Sequence, residues 1–207
     1  MARETVLLVH GHGGHPIQFE PLRRALERQG YRAIKWQYKS RHGSIEAHAA
    51  RLVDKARELG ADPDFERLHF VGHSMGAIVV RRAVAMARPE KLGRVVLLAP
   101  PNRGARLADV ALRLFGPRIV AATELSSRPD SYVNRLAPAA DLDCGIIAAA
   151  WDGIVPLSST SLPTQRDYIV LRAVHGTLPL QPRTHLQVGH FLRQGRFLRG
   201  ADGARAG

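Results

Sequence analysis

A chain of 207 residues, 45% of them apolar, has the length of one domain with a sizeable core and is too apolar to be disordered. Its longest apolar runs are strand-sized, which excludes a membrane-spanning helix. The net charge of +12 comes mainly from arginines scattered over helix faces and loops, with no basic run or interleaved aromatic pattern of a specific nucleic-acid binder; it reads as compositional bias, or as a field favouring anionic substrates, anionic lipid surfaces or nucleic acid.

Residues 1–4 lead directly into Thr5, Val6, Leu7, Leu8 and Val9, a run too short for the core of a signal peptide, so a cytoplasmic protein is expected. This first strand, buried on both faces, ends in the glycine-dense loop His10-Gly11-His12-Gly13-Gly14-His15. A helix follows with Phe19, Leu22 and Leu26 on one face, then a strand over residues 31–36. Ser44 is the expected N-cap of a helix whose apolar face is Ile45, Ala49, Leu52, Val53, Ala56 and Leu59. Residues 67–71 form the next strand and a buried helix leaves it through Ala77, Ile78, Val79 and Val80.

Strands at residues 94–99, 144–150 and 168–174 and a closing helix carrying Leu186, Val188, Phe191 and Leu192 complete the alternation. Residues 105–140 interrupt it as a helical excursion, and residues 201–207 read as a disordered tail after a single domain over 1–200. The lone Cys144 excludes an internal disulfide. The pattern is that of an α/β fold: a sheet of about six mostly parallel strands with helices on both faces. In such sheets the chemistry gathers where the strands' C-terminal ends meet their loops, and His10, His12, Ser74, Asp152 and His175 all follow a strand.

Gly72-His73-Ser74-Met75-Gly76 stands between a strand and a helix, the setting of a nucleophile elbow. A serine at the apex of so tight a turn needs neighbours without a Cβ, and Gly72 and Gly76 meet that need. A serine hydroxyl becomes nucleophilic when an imidazole takes its proton, and the imidazole needs a carboxylate to set its tautomer. Asp141, Asp143 and Asp167 precede strands and face the wrong end of the sheet, whereas Asp152 follows one in a Trp-Asp-Gly turn. Beyond it, His175 ends a strand beside Gly176, whereas His185 and His190 lie on the closing helix. The expected set is therefore Ser74, Asp152 and His175, with the Met75 and His12 amides as donors to an oxyanion. His73 is expected to pack or to bond locally.

With these residues in view, the chain resembles the α/β-hydrolase superfamily over nearly its whole length, beginning at that family's third strand. It is most similar to small bacterial esterase- or lipase-like members with a minimal core and little or no lid. The resemblance rests on residues 9–14 and 72–77, on Pro100-Pro101-Asn102-Arg103-Gly104, on Asp152-Gly153-Ile154-Val155-Pro156 and on residues 169–175. It implies a serine hydrolase that needs no cofactor or metal and acts on a small-molecule or lipid ester, with thioesterase or acyltransferase chemistry on the same residues as the alternative. Leu107, Val110, Leu114 and Phe115 are expected either to line an acyl pocket or to cover the core. Two readings from other classes compete. One is a metal-dependent hydrolase using His10, His12 and His15, although Gly14 occupies the place of the aspartate such ligand runs carry. The other is a non-catalytic module drawn to anionic membrane.

Overall fold

The computed structural model describes residues 3–137 and 142–199. Six strands form one sheet in the order β2-β1-β3-β4-β5-β6, with every neighbouring pair parallel. They are β1 (Arg3–Val9), β2 (Arg32–Trp36), β3 (Phe65–His73), β4 (Leu92–Leu98), β5 (Cys144–Ala149) and β6 (Asp167–Leu171). The sheet is thus parallel throughout rather than mostly so.

The continuous apolar runs of the central strands have a direct cause in this layering. Successive side chains of a strand point to opposite faces, and here both faces are covered. Leu7 and Val9 of β1, Phe70 of β3 and Val95 and Leu97 of β4 enter one core layer. Val6 and Leu8, Val71, and Val96 and Leu98 enter the other. The first layer is closed by α2 (Ile45–Gly60) and α3 (Met75–Met86), the second by α1 (Glu20–Glu27) and α7 (Pro182–Gln194). Ser44 caps α2 as expected, its side chain accepting from the Ala47 amide at 3.2 Å.

The excursion after β4 holds α4 (Arg106–Phe115), α5 (Val120–Glu124) and α6 (Tyr132–Arg135). It packs on the first core layer through Ala108, Leu125 and Val133, and carboxylates tie it further. Glu124 accepts from the Ile45 amide at 2.9 Å, adding a second cap to α2. Glu46 accepts from the Tyr132 hydroxyl at 2.6 Å and from Arg82. The tail beyond Gly200 and Asp141 lie outside the described residues. Among the described residues, no helix is long and apolar enough to cross a membrane.

Candidate active site

At the C-terminal end of β3 the backbone turns through Ser74, whose φ of 55° and ψ of −127° lie in a region that side-chain-bearing residues avoid. The Ser74 amide is held by the Leu98 carbonyl at 2.9 Å, and the Ser74 carbonyl accepts from Ala77 at 2.9 Å. The turn is possible because its neighbours are bare. A Cβ on Gly72 would sit 2.7 Å from the Ala77 Cα, and one on Gly76 would overlap the carbonyl oxygens of Val9 and His10. Ser74 remains partly exposed, while His73, Met75 and Gly76 around it are buried.

The loop after β1 lies directly against this serine. A Cβ on Gly11 would be 2.9 Å from the Ser74 Cβ and 3.4 Å from its Oγ. Two residues that follow the neighbouring strand β2 hold the loop in place. Tyr38 donates its hydroxyl to the His10 carbonyl at 2.6 Å and stacks on the His10 ring. Ser40 accepts from the His12 ring at its carbonyl, at 2.9 Å, and from the Gly13 amide at its hydroxyl, at 3.0 Å. The three imidazoles of the histidine run take separate partners: His10 donates to the Gly11 carbonyl, His12 to Ser40, and His15 accepts from the Ile17 amide. Sequence reasoning did not identify Tyr38 and Ser40. The parallel register that pairs Val9 with Trp36 is the signal that brings them alongside.

Asp152 follows β5 in a turn fastened to the segment after β6 by the Trp151 amide, which donates to the Ala173 carbonyl at 3.0 Å. One oxygen of its buried carboxylate accepts from the Ile154 and Val155 amides at 2.9 and 2.8 Å. The other accepts from the Nδ1–H of His175 at 2.7 Å. Burial raises the carboxyl pKa, but the His175 ring and the two amides outweigh it and leave Asp152 below the ordinary carboxylate value. Because His175 donates from Nδ1, the neutral ring keeps its lone pair at Nε2.

His73 does not bond locally. Its Nε2–H donates to the His175 carbonyl at 3.0 Å, and the two ring centroids are 4.9 Å apart. Burial, reinforced by the neighbouring His175 ring, lowers its pKa to about 3. It is therefore neutral at physiological pH and ties the residue before Ser74 to the backbone of His175.

The remaining candidates separate. Asp143 pairs with Arg94 and Arg166, and Asp167 accepts from the Phe197 amide and Arg199. His185 donates to the Pro179 carbonyl and His190 to that of Arg196. Leu107, Val110, Leu114 and Phe115 are about half exposed or more, which overturns the reading that they cover the core. The helix is held instead through Ala108 and through Asp109, whose carboxylate accepts from the Ser127 amide and hydroxyl. The loop at Asn102 is held from beneath by buried Arg81, which donates to the Asn102 Oδ1 at 2.8 Å.

Comparison with known proteins places the fold and the family. The chain is 29% identical over 136 residues to a triacylglycerol lipase of Pseudomonas fragi, covering 63% of this chain and 45% of that protein. The chain spans less than half the length of the curated relatives it matches. Among solved structures, the mature form of a Bacillus licheniformis lipase superposes with a TM-score of 0.72 at 16% identity, covering 94% of this chain and 92% of that one. Lipase B of Aspergillus fumigatus superposes with a TM-score of 0.75 at 10% identity, covering 93% of this chain and 53% of that one. The sequence profile of the Alpha/beta hydrolase family runs from residue 6 to residue 199, almost the full described length, and the chain belongs to that family.

Proposed function

We propose that this hydrolase cleaves carboxylic esters of small molecules or lipids through an acyl-enzyme intermediate on Ser74. The observation that carries this reading is the 2.7 Å bond from His175 Nδ1 to the buried Asp152 carboxylate, which leaves Nε2 with a free lone pair. His175 Nε2 takes the proton of the Ser74 hydroxyl as its oxygen attacks the ester carbonyl, and Asp152 stabilises the imidazolium that forms. The tetrahedral oxyanion is held by the amide of Met75, at the head of α3, and by that of His12, in the loop that lies against Ser74. Collapse expels the alcohol, which takes the proton from His175. Water activated by the same ring then releases the acid. Leu107, Val110, Leu114 and Phe115 form an open apolar wall beside the acyl chain.

The test is hydrolysis of p-nitrophenyl esters from acetate to palmitate by wild type and Ser74→Ala. We expect the variant to lose activity by about a thousandfold or more, with the chain-length profile separating esterase from lipase. Undiminished activity in Ser74→Ala overturns the assignment.

A further inference from the structure

We infer that the outward face of α4 is a docking surface for an anionic lipid bilayer. Helix α4 is amphipathic in the reverse of the usual sense. Leu107, Val110, Ala111 and Leu114 recur at intervals of three and four and so share one face, which Phe115 extends. A helix of a water-soluble domain turns such a face to the core. Here Leu107 is 55% exposed, Val110 48%, Leu114 70% and Phe115 55%, and Ala108 is the buried residue of the helix. Val120, at the start of α5, continues the apolar surface.

Cations are dense on this helix and in the segments that flank it. Arg103, Arg106, Arg113, Arg118 and Arg128 are all exposed, and among the described residues none of them is ion-paired. The two acids between residues 103 and 128 are both occupied by other groups, Asp109 by Ser127 and Glu124 by the Ile45 amide. An exposed apolar stripe flanked by unpaired cations is the chemistry of a helix lying in a lipid headgroup layer. The same unpaired cations disfavour a second copy of this chain, since like charges would meet across the contact.

The helix also begins near the site. The Arg106 amide donates to the Ile154 carbonyl at 2.8 Å, and the Ile154 amide donates to Asp152 at 2.9 Å, so α4 begins two bonds from that carboxylate. Trp151, adjacent to Asp152, is 64% exposed, in keeping with the preference of tryptophan for the water–lipid boundary. A bilayer seated on α4 would lie near the turn that carries Asp152.

Binding is measured on the full chain carrying Ser74→Ala, so that the result is independent of catalysis and of the ester reading. The probes are phosphatidylcholine vesicles, alone or with about one-third phosphatidylglycerol. Trp36 is buried, so a change in tryptophan emission on binding reports Trp151. We expect co-sedimentation with the anionic vesicles alone, a blue shift of Trp151 emission, and weakening of at least about tenfold when salt rises from 0.05 to 0.5 M. Leu114→Asp with Phe115→Asp should weaken binding by about tenfold or more, and Arg106→Gln with Arg113→Gln and Arg118→Gln should remove the preference for anionic lipid. Quenching of Trp151 by brominated lipid in the parent protein tests the same contact without changing α4. The proposal is overturned by absence of binding, by equal binding to both vesicles, or by retained binding in the Leu114/Phe115 variant. A concentration-dependent dimer that this variant dissociates overturns it too, and assigns the face to a subunit contact.

Discussion

The ring of His73 donates a hydrogen bond to the carbonyl of His175, 102 positions further along the chain, at 3.0 Å. The residue next to the proposed nucleophile therefore holds the backbone that carries the proposed base. His73→Phe removes the donor and leaves a buried carbonyl unpaired. We expect kcat to fall by about ten- to a hundredfold with KM within about twofold, since a small displacement of a base acts mainly on the chemical step. His73→Gln, whose amide can donate along a similar path, should recover part of the loss. A change confined to KM would contradict the positioning role.

Burial lowers the pKa of His10, His48, His69, His73 and His185 alike. Between the folded value of about 3 for His73 and its unfolded value of 6.5, the unfolded chain binds more protons than the folded one. Stability therefore rises with pH through this window and is lost as the solution is acidified below 6.5. His73 alone accounts for a loss of about 2 kcal/mol at pH 5. Asp152, whose folded pKa is depressed, contributes stability above its unfolded pKa and loses it as pH falls through the folded one. Thermal unfolding followed at pH 8, 6.5 and 5 should show Tm falling at each step. Both nitrogens of buried His48 lack a partner, so His48→Phe should raise Tm, and more at pH 5 than at pH 8. A flat profile would refute this account.

Three glycines at the elbow should differ in what their replacement damages. An alanine at Gly76 would overlap the backbone carbonyls of Val9, the last residue of β1, and of His10 just after it, which cannot move without the strand, so Gly76→Ala should abolish folding. Gly11→Ala meets the Ser74 Cβ at 2.9 Å, and its backbone is not in the left-handed region. This variant should fold, with Tm lowered by a few degrees, and lose about a hundredfold in kcat because the serine must shift. Gly72→Ala, at 2.7 Å from the Ala77 Cα, should resemble Gly76→Ala. Circular dichroism and ester hydrolysis on the three variants separate the cases.

Asn102 joins buried Arg81 to the Thr160 carbonyl, receiving at 2.8 Å and donating at 2.6 Å. Burial lowers the guanidinium pKa to about 10, so it stays charged at neutral pH and depends on its acceptors. Asn102→Ala leaves a buried cation short of one acceptor, and we expect about 2–4 kcal/mol of destabilisation in urea titration. A change below about 0.5 kcal/mol would show that water replaces the amide.

Much of this arrangement could be read from the chain because it is local. Ser74 lies between two glycines at the end of an apolar run, and Asp152 and His175 each follow a strand within a few residues, so period and position suffice to nominate them. What could not be read is tertiary. The periodicity of α4 identifies an apolar face but not the side on which the rest of the protein lies, and Leu114 faces outward because the inner contacts are made by Ala108 and Asp109. His73 was expected to pack or to bond locally; it is buried, but its hydrogen-bond partner lies across the sheet beyond the end of another strand. Tyr38 and Ser40 serve the loop through His10, His12 and Gly13 only because β1 and β2 end side by side.

The strand order carries a consequence of its own. Since β1 lies between β2 and β3, the chain first winds outward in one direction and then returns to wind in the other. The segment leaving β1 descends to the face covered by α1, and the segment leaving β3 descends to the face covered by α3. Two adjacent strands thus send their helices to opposite faces, and the switch point between their C-terminal ends arises from connectivity before any side chain is chosen. The position of Ser74 at that switch is therefore inherited with the winding. Substitutions in the loops around it can change its surroundings while Ser74 stays where the topology puts it.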